Sequence, residues 1–342
     1  MDKTLNAAII GCGAIFKVHA DAIRDSSYAQ LVSAVDIDEQ KARAATLEYE
    51  CSFYTDYREL LKNEKIDVVH ICTPHYLHAP MAIDAVRAGK HVLVEKPVAI
   101  NLEQAQEMAA EAKRNNVYIG VCFQNRYNDT TIRAKEILQK GLLGKIRGVK
   151  GIVTWHRNED YYTQSGWRGS FETEGGGVLI NQAIHTLDLM QLLAGEVEAI
   201  KGNVDTRVLQ GVIEVEDTAD ATIYFKNGAV GLFYATNCYT ANSPVELEVH
   251  CEKGLLKVDD DGLYMIHDGK KEWLTGNRYQ TGYKDYWGGS HKKLIEHFYQ
   301  CIVEQRGEGY ITVEESMVSL KMIEGIYRSS ATNQKYSFEQ PW

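Results

Sequence analysis

The sequence predicts two domains: a doubly wound α/β domain built on a parallel sheet, then an antiparallel sheet carrying a helix on one face. Three observations predict this. Up to about residue 124, short wholly apolar runs alternate with amphipathic stretches, as parallel strands covered on both faces by helices require. After residue 145, strand-like runs follow one another directly with Asn-Gly and Asp-Gly pairs nearby, which is the pattern of hairpins. At ~150 residues per domain, the 342 residues of the chain suit two domains.

The first run, Asn6–Ile10, ends at Gly11-Cys12-Gly13 and gives way to a helical pattern. Leu31–Val35 and the amphipathic Glu39–Glu50 follow, then Ile66–Cys72, Ala79–Ala88, His91–Val94, Leu102–Asn115 and Val117–Phe123. Beyond them Val149–His156, Ile200–Val208, Ala219–Phe225, Ala229–Asn237, Val245–Cys251 and Leu255–Val258 read as strands. Asn227-Gly228 supplies the positive φ angles of a tight hairpin, and Asp261-Gly262 and Asp268-Gly269 signal two more turns. The pattern at Leu179–Leu193 predicts a helix on a face of that sheet, and Lys292–Glu304 and Val313–Ser329 predict two closing helices. The domains are placed at residues 1–124 and 125–342.

Composition narrows the function classes. Hydrophobic residues are 44% and charged residues 25%, ordinary globular usage. Lys and Arg total 37 against 47 Asp and Glu, and the net charge of -10 opposes a grip on nucleic acid or an anionic membrane. No apolar run approaches the ~20 residues of a spanning helix, and Ala7–Ile10 is too short for a signal-peptide core. The seven cysteines form no C-x-x-C pair, so neither a disulfide framework nor a zinc ribbon is expected. The expectation is a cytoplasmic protein without a metal.

Gly11-Cys12-Gly13 lies where a strand passes into a helix, the place where backbone N–H groups approach a pyrophosphate. The third small position of that motif is Phe16, so the glycine pattern is degraded. Asp36 ends the second run, 25 residues past Gly11; a carboxylate there accepts from the adenine ribose hydroxyls and repels a 2′-phosphate, favouring NAD. Asp36 and Asp38 read equally as the start of a helix. Thr73-Pro74-His75 and His78 follow the run ending at Cys72, and Glu95-Lys96-Pro97 follows His91–Val94. Both lie at carboxyl ends of strands, where open α/β sheets hold ligands. Lys96 there reads either as a cleft acid/base, its backbone held by the following proline, or as a surface lysine before a turn.

These motifs, with the later Gly175-Gly176-Gly177 and His185, resemble the Gfo/Idh/MocA family of sugar and cyclitol oxidoreductases over nearly the whole chain. The resemblance implies an α/β Rossmann domain plus an α+β domain with an open, mainly antiparallel sheet. It also implies NAD, a lysine at the reaction centre, a cis Lys96-Pro97 peptide, and a homodimer or homotetramer formed through the open sheets. By the same resemblance Gly11, Gly13, Ala14, Ile15 and Asp36 hold the cofactor, along with Thr73, Pro74, His75 and His78. Glu95, Lys96 and Gln124 line the nicotinamide side, and Trp167-Arg168 reaches it.

At 3.6 residues per turn, Asn181, His185 and Asp188 fall within about 60° of one helix face, with Ile184 and Leu192 beside them. A polar stripe in apolar surroundings needs hydrogen-bond partners. A substrate is one, and an internal His185–Asp188 pair is the other. Many family members carry Asp where this chain has Asn181, so the proton work falls to Lys96 and His185. Arg126, Tyr161 and His156 join Asn181 as substrate contacts, and His291 opens a late helix. The expected function is hydride transfer between NAD and a secondary alcohol of a sugar, sugar derivative or glycoside, with a pyranose C3 hydroxyl first and an inositol second. An enzyme cycling bound NAD on a glycoside and a catalytically silent NAD sensor are the rivals.

Overall fold

The structure, a computed structural model, describes residues 4–259, 261–276 and 289–339. It divides into two compact units, Met1–Tyr127 with Gln280–Met317 and Asn128–Tyr279 with Val318–Trp342. The sequence texture gave one boundary, whereas the chain returns to the first unit late. There the helix His291–Val303 packs against the helix Phe16–Arg24.

In the first unit the described residues form six parallel strands: β1 (Leu5–Ile10), β2 (Ala29–Val35), β3 (Ser52–Tyr54), β4 (Val68–Ile71), β5 (His91–Glu95) and β6 (Ile119–Cys122). Their order is β3-β2-β1-β4-β5-β6, the doubly wound arrangement whose order reverses between β1 and β4 and opens a crevice at their carboxyl ends. Every residue of β4 and β6 is buried, which explains their unbroken apolar runs. Helix starts are capped as the sequence implies. Asp38 Oδ1 accepts from the Gln40 and Lys41 N–H groups, and Asn101 Oδ1 from the Gln104 N–H. The edge strand β3 is three residues and half-exposed, too short to show a period.

The second unit carries a sheet of nine strands among the described residues. These are β7 (Ile146–Thr154), β8 (Val197–Asp205), β9 (Thr218–Phe225), β10 (Val230–Thr236), β11 (Glu246–Cys251), β12 (Gly254–Asp259), β13 (Gly262–His267), β14 (Lys270–Thr275) and β15 (Tyr336–Ser337). The order is β14-β13-β12-β11-β7-β10-β9-β8-β15, antiparallel except where β7 meets β10. The helix Ile184–Ala194 lies on it, and glycine lets it come close. A Cβ on Gly151 would stand 2.5 Å from Met190 Sδ and 2.8 Å from Thr186 Cγ2.

One sequence expectation is corrected here. Leu179–Leu193 is not a single helix, because a short turn Val178–Asn181 precedes Ile184–Ala194. The Ala183 N–H reaches back to the Val178 carbonyl, 2.8 Å away and five residues earlier, which widens the spiral. Gln182 at the break is held from outside, donating to the Tyr161 hydroxyl at 3.1 Å and accepting from Asn237 Nδ2 at 3.0 Å. His185 and Asp188 keep a common helix, and Asn181 does not share it.

Candidate active site

In the first unit the glycine turn leaves its backbone open to solvent. Gly11 has φ +101°, and a Cβ there would lie 2.6 Å from the Cys72 carbonyl oxygen, so only glycine turns the chain off β1. A Cβ on Gly13 would meet nothing within 4 Å; the backbone of Gly13 and Ala14 is uncovered, as a close-approaching anion requires, with Ile15 ahead of the helix. The Asp36 carboxylate holds this loop: Oδ2 accepts from the Cys12 N–H at 2.8 Å and Oδ1 from the Asp38 N–H at 2.9 Å. Four acceptor lone pairs leave room for ribose hydroxyls as well. Ile37, next along, is 93% exposed and offers an apolar surface to a flat base. Phe16 is buried edge-on against Tyr49, filling the third small position with packing. Across the crevice the Thr73 hydroxyl oxygen is buried without a hydrogen-bond partner. These residues fit a dinucleotide.

The other strand tips are braced. His78 is buried, with Nδ1 2.7 Å from the Pro97 carbonyl and Nε2 2.9 Å from the Thr73 carbonyl, so its ring fills the gap between the tips after β4 and β5 and, when neutral, donates to one of them. Burial pushes its pKa down. His75 is buried beside it, ring centroids 5.8 Å apart, after Pro74. The Lys96-Pro97 peptide is cis. Lys96 is half-buried, and its N–H donates to Glu95 Oε2 at 3.2 Å. Burial pushes the Glu95 carboxyl up, but hydrogen bonds from His19 and His291 outweigh it and hold it well below the usual range. Gln124 is buried beyond β6, and Arg126 Nη1 donates to Glu315 at 3.1 Å. Burial pushes the Cys72 and Cys122 thiols far up, so neither is a nucleophile.

The second unit gathers its own cluster. Glu174, fully buried before the glycine run, accepts from Asn181 Nδ2 at 2.5 Å and from the Gly169 N–H at 2.6 Å. Burial pushes its pKa up to about 7, against the lowering by those bonds and by the Arg168 charge. The Arg168 guanidinium stacks over Tyr161 (4.4 Å) and Trp167 (4.5 Å), and its buried Nε lacks a hydrogen-bond partner. Asn181 and Gln182 both donate to the Tyr161 hydroxyl. Asn181, Tyr161, Arg168 and Trp167 are thus brought together. His185 is half-buried at the start of its helix, and Asp188 is buried, accepting from Ser319 and Gln191. His156 is exposed and donates through Nδ1 to the Tyr239 carbonyl at 2.6 Å.

Glu174, His19, His70 and Tyr299 escaped the sequence reading. A signal existed for His70, which stands inside the apolar run of a strand covered on both faces. Among the described residues one group, His19, Glu95 and His291, has atoms that could together hold a metal ion. No helix of the described residues is long and apolar enough to cross a membrane.

A glycine turn between β1 and its helix, an acidic residue ending β2 and a crevice at the strand reversal define an NAD-binding Rossmann domain of the oxidoreductase class. Residues 5–123 match the family model described as oxidoreductase family, NAD-binding Rossmann fold, and residues 131–257 match the GFO/IDH/MocA C-terminal domain. The chain belongs to the Gfo/Idh/MocA oxidoreductase family. It is 31% identical to levoglucosan dehydrogenase of Pseudarthrobacter phenanthrenivorans over 222 residues, 58% of this chain and 57% of that protein. The match therefore spans little more than half of that relative. Identity to the D-glucoside 3-dehydrogenase of Escherichia coli is 32% over 247 residues, 66% of this chain and 68% of that one. The crystal structure of the WlbA dehydrogenase from Bordetella pertussis in complex with NADH and UDP-GlcNAcA superposes with a TM-score of 0.86 at 27% identity, covering 99% of this chain and 100% of that one.

Proposed function

We propose that the protein is an NAD-dependent dehydrogenase that oxidises a secondary alcohol of a pyranose or pyranoside, with the C3 hydroxyl as the reacting group. The observation that carries this reading is the pairing, in one crevice, of a dinucleotide cradle with a lysine fixed at the neighbouring strand tip. Asp36 supports NAD over NADP, because its ionised carboxylate repels a 2′-phosphate. Gly11, Gly13, Ala14 and Ile15 hold the pyrophosphate, Thr73, Pro74 and His75 flank it, and His78 braces the tips. Glu95 and Gln124 complete the nicotinamide side within the first unit. When bound, NAD supplies the hydride acceptor. Lys96 takes the hydroxyl proton as the carbinol C–H bond breaks and the carbonyl forms. His185 and Asn181 hydrogen-bond neighbouring hydroxyls, orienting the ring, and Arg126, Tyr161 and His156 extend the polar and aromatic contacts. The names of the two curated relatives support a pyranose substrate.

Seven cysteines, all free, support a reducing cytoplasmic setting. Purified protein offered NAD and a panel of glucosides, anhydrosugars, nucleotide sugars and inositols tests the reading. Accumulating NADH with pyranosides supports it. Turnover without net NADH points to a cycling enzyme instead, and no turnover on any member points to a sensor.

A further inference from the structure

We propose that His19, His70 and Tyr299 are positioning residues: they form a proton-ordered chain that locks Glu95 as a fixed acceptor for the Lys96 backbone. This rests on the role of Lys96 proposed above and deepens it.

The chain crosses three elements of the first unit. His19 stands in the first helix, His70 inside β4 and Tyr299 in the helix His291–Val303, and all three are buried. His19 Nε2 lies 2.9 Å from Glu95 Oε1, and His291 Nε2 lies 3.5 Å from the same oxygen. His19 Nδ1 is 2.8 Å from His70 Nδ1, and His70 Nε2 is 2.6 Å from the Tyr299 hydroxyl. An ionised carboxylate only accepts, so His19 donates through Nε2. Among the described residues the Tyr299 O–H has no acceptor but His70 Nε2, so that nitrogen is bare and the one proton of His70 sits on Nδ1. His19 Nδ1 is therefore a bare lone pair, and His70 must donate to it through Nδ1. One order of protons satisfies every contact.

The same chemistry says the chain holds rather than conducts. Passing a proton toward Glu95 would leave a tyrosinate in the core, and burial pushes the Tyr299 hydroxyl well above its ordinary range. The remaining titratable groups around Glu95 are the Cys72 and Cys122 thiols, which burial keeps protonated, with His291, His78 and Lys96 itself. None supplies a competing acceptor for His19 Nε2. The result at the site is mechanical. Glu95 Oε2 accepts from the Lys96 N–H, while the Pro97 carbonyl faces His78 Nδ1 on the other side.

The test uses the full chain labelled with ¹⁵N-histidine. Two-bond ¹H–¹⁵N spectra, with peaks assigned through His19→Gln and His70→Gln, report which nitrogen bears each proton. The expected result is His19 protonated at Nε2 and His70 at Nδ1. Either ring carrying its proton on the other nitrogen overturns the lock. A divalent ion on His19 Nε2, Glu95 and His291 would demand that reversed pattern, so added zinc leaving the spectrum unchanged is part of the expected result. In Tyr299→Phe the end of the chain is released. His70 Nε2 should then lose its hydrogen-bonded shift while His19 stays protonated at Nε2 and His70 at Nδ1, and kcat should fall about tenfold with KM for NAD within about twofold. Unchanged kcat in this variant, with the His70 Nε2 shift lost, refutes the positioning role. Wild-type protein with the ordered tautomers but no sugar turnover refutes the enzyme reading and leaves the lock standing.

Discussion

Glu174 sits wholly inside the second unit as a carboxyl group that prefers to be neutral, and this has a measurable sign. Its folded pKa is about 7 against an ordinary 4.5. Between those values the folded state binds a proton that the unfolded chain does not. Its contribution to stability therefore declines as pH rises from about 4.5 to about 7, by about 3 kcal/mol. Glu95 runs the other way, its contribution being present above the ordinary carboxylate range and lost as pH falls below it. His19 and His70, held neutral, add stability as pH rises through about 6.5. Because these slopes oppose each other, the difference between wild type and Glu174→Gln isolates the first. Urea unfolding should show the wild type losing about 3 kcal/mol relative to the variant between about pH 4.5 and about pH 8. A pH-independent difference would contradict the burial account. At the cofactor, Asp36→Ala should weaken NAD binding about tenfold and narrow the gap to NADP, measured by calorimetry. The placement of Asp36 and Lys96 just past strand ends was legible, because the end of an apolar run marks where a strand stops. Glu174 was not, since its role comes from burial and from Asn181 folding back onto it.

Two glycines show how far an element's role can be read from its turn. Gly13→Ala places a methyl in open space, so the fold should survive while NAD affinity falls about tenfold, where a backbone approach is blocked. Gly177→Ala drives a methyl to within 1.9 Å of the Glu216 carbonyl oxygen. It should cost at least about 3 kcal/mol or prevent folding, seen as a lowered unfolding midpoint or lost soluble yield. If Gly13→Ala binds NAD as well as wild type does, the cradle is misassigned. The parallel strands and the Leu102–Asn115 helix were readable because period and length agree there. The hairpin between β13 and β14 was readable only as a turn, Asp268-Gly269, with φ of 50° and 71°; β13 is an apolar run and β14 opens on exposed Lys-Lys-Glu, and neither carries a clean alternation. The break after Asn181 was invisible because Gln182 and Ala183 suit a helix locally, and the bonds that pull Gln182 away come from Tyr161 and Asn237, distant in sequence.

At the scale of the whole molecule, the order of motifs carried more than any one of them: the degraded glycine turn alone would also serve a plain strand–helix corner. The late return of residues 289–317 to the first unit was not legible, since a helix records which face is apolar and not which partner covers it. Assembly also belongs to this scale. The face of β10 turned away from the helix Ile184–Ala194 shows Leu232 at 59% and Val230 at 46% exposure. We propose that this sheet face mediates self-association. Leu232→Glu should then yield a smaller species in light scattering at unchanged secondary structure; an unaltered mass would place the contact elsewhere. The most direct measurement is NADH formation from NAD and a pyranoside by wild type and Lys96→Ala, paired with their NAD affinities. The account predicts steady NADH release by wild type and a fall of about 10² to 10⁴ in kcat for the variant, with NAD binding within about threefold. A Lys96→Ala enzyme that turns over at the wild-type rate would contradict it.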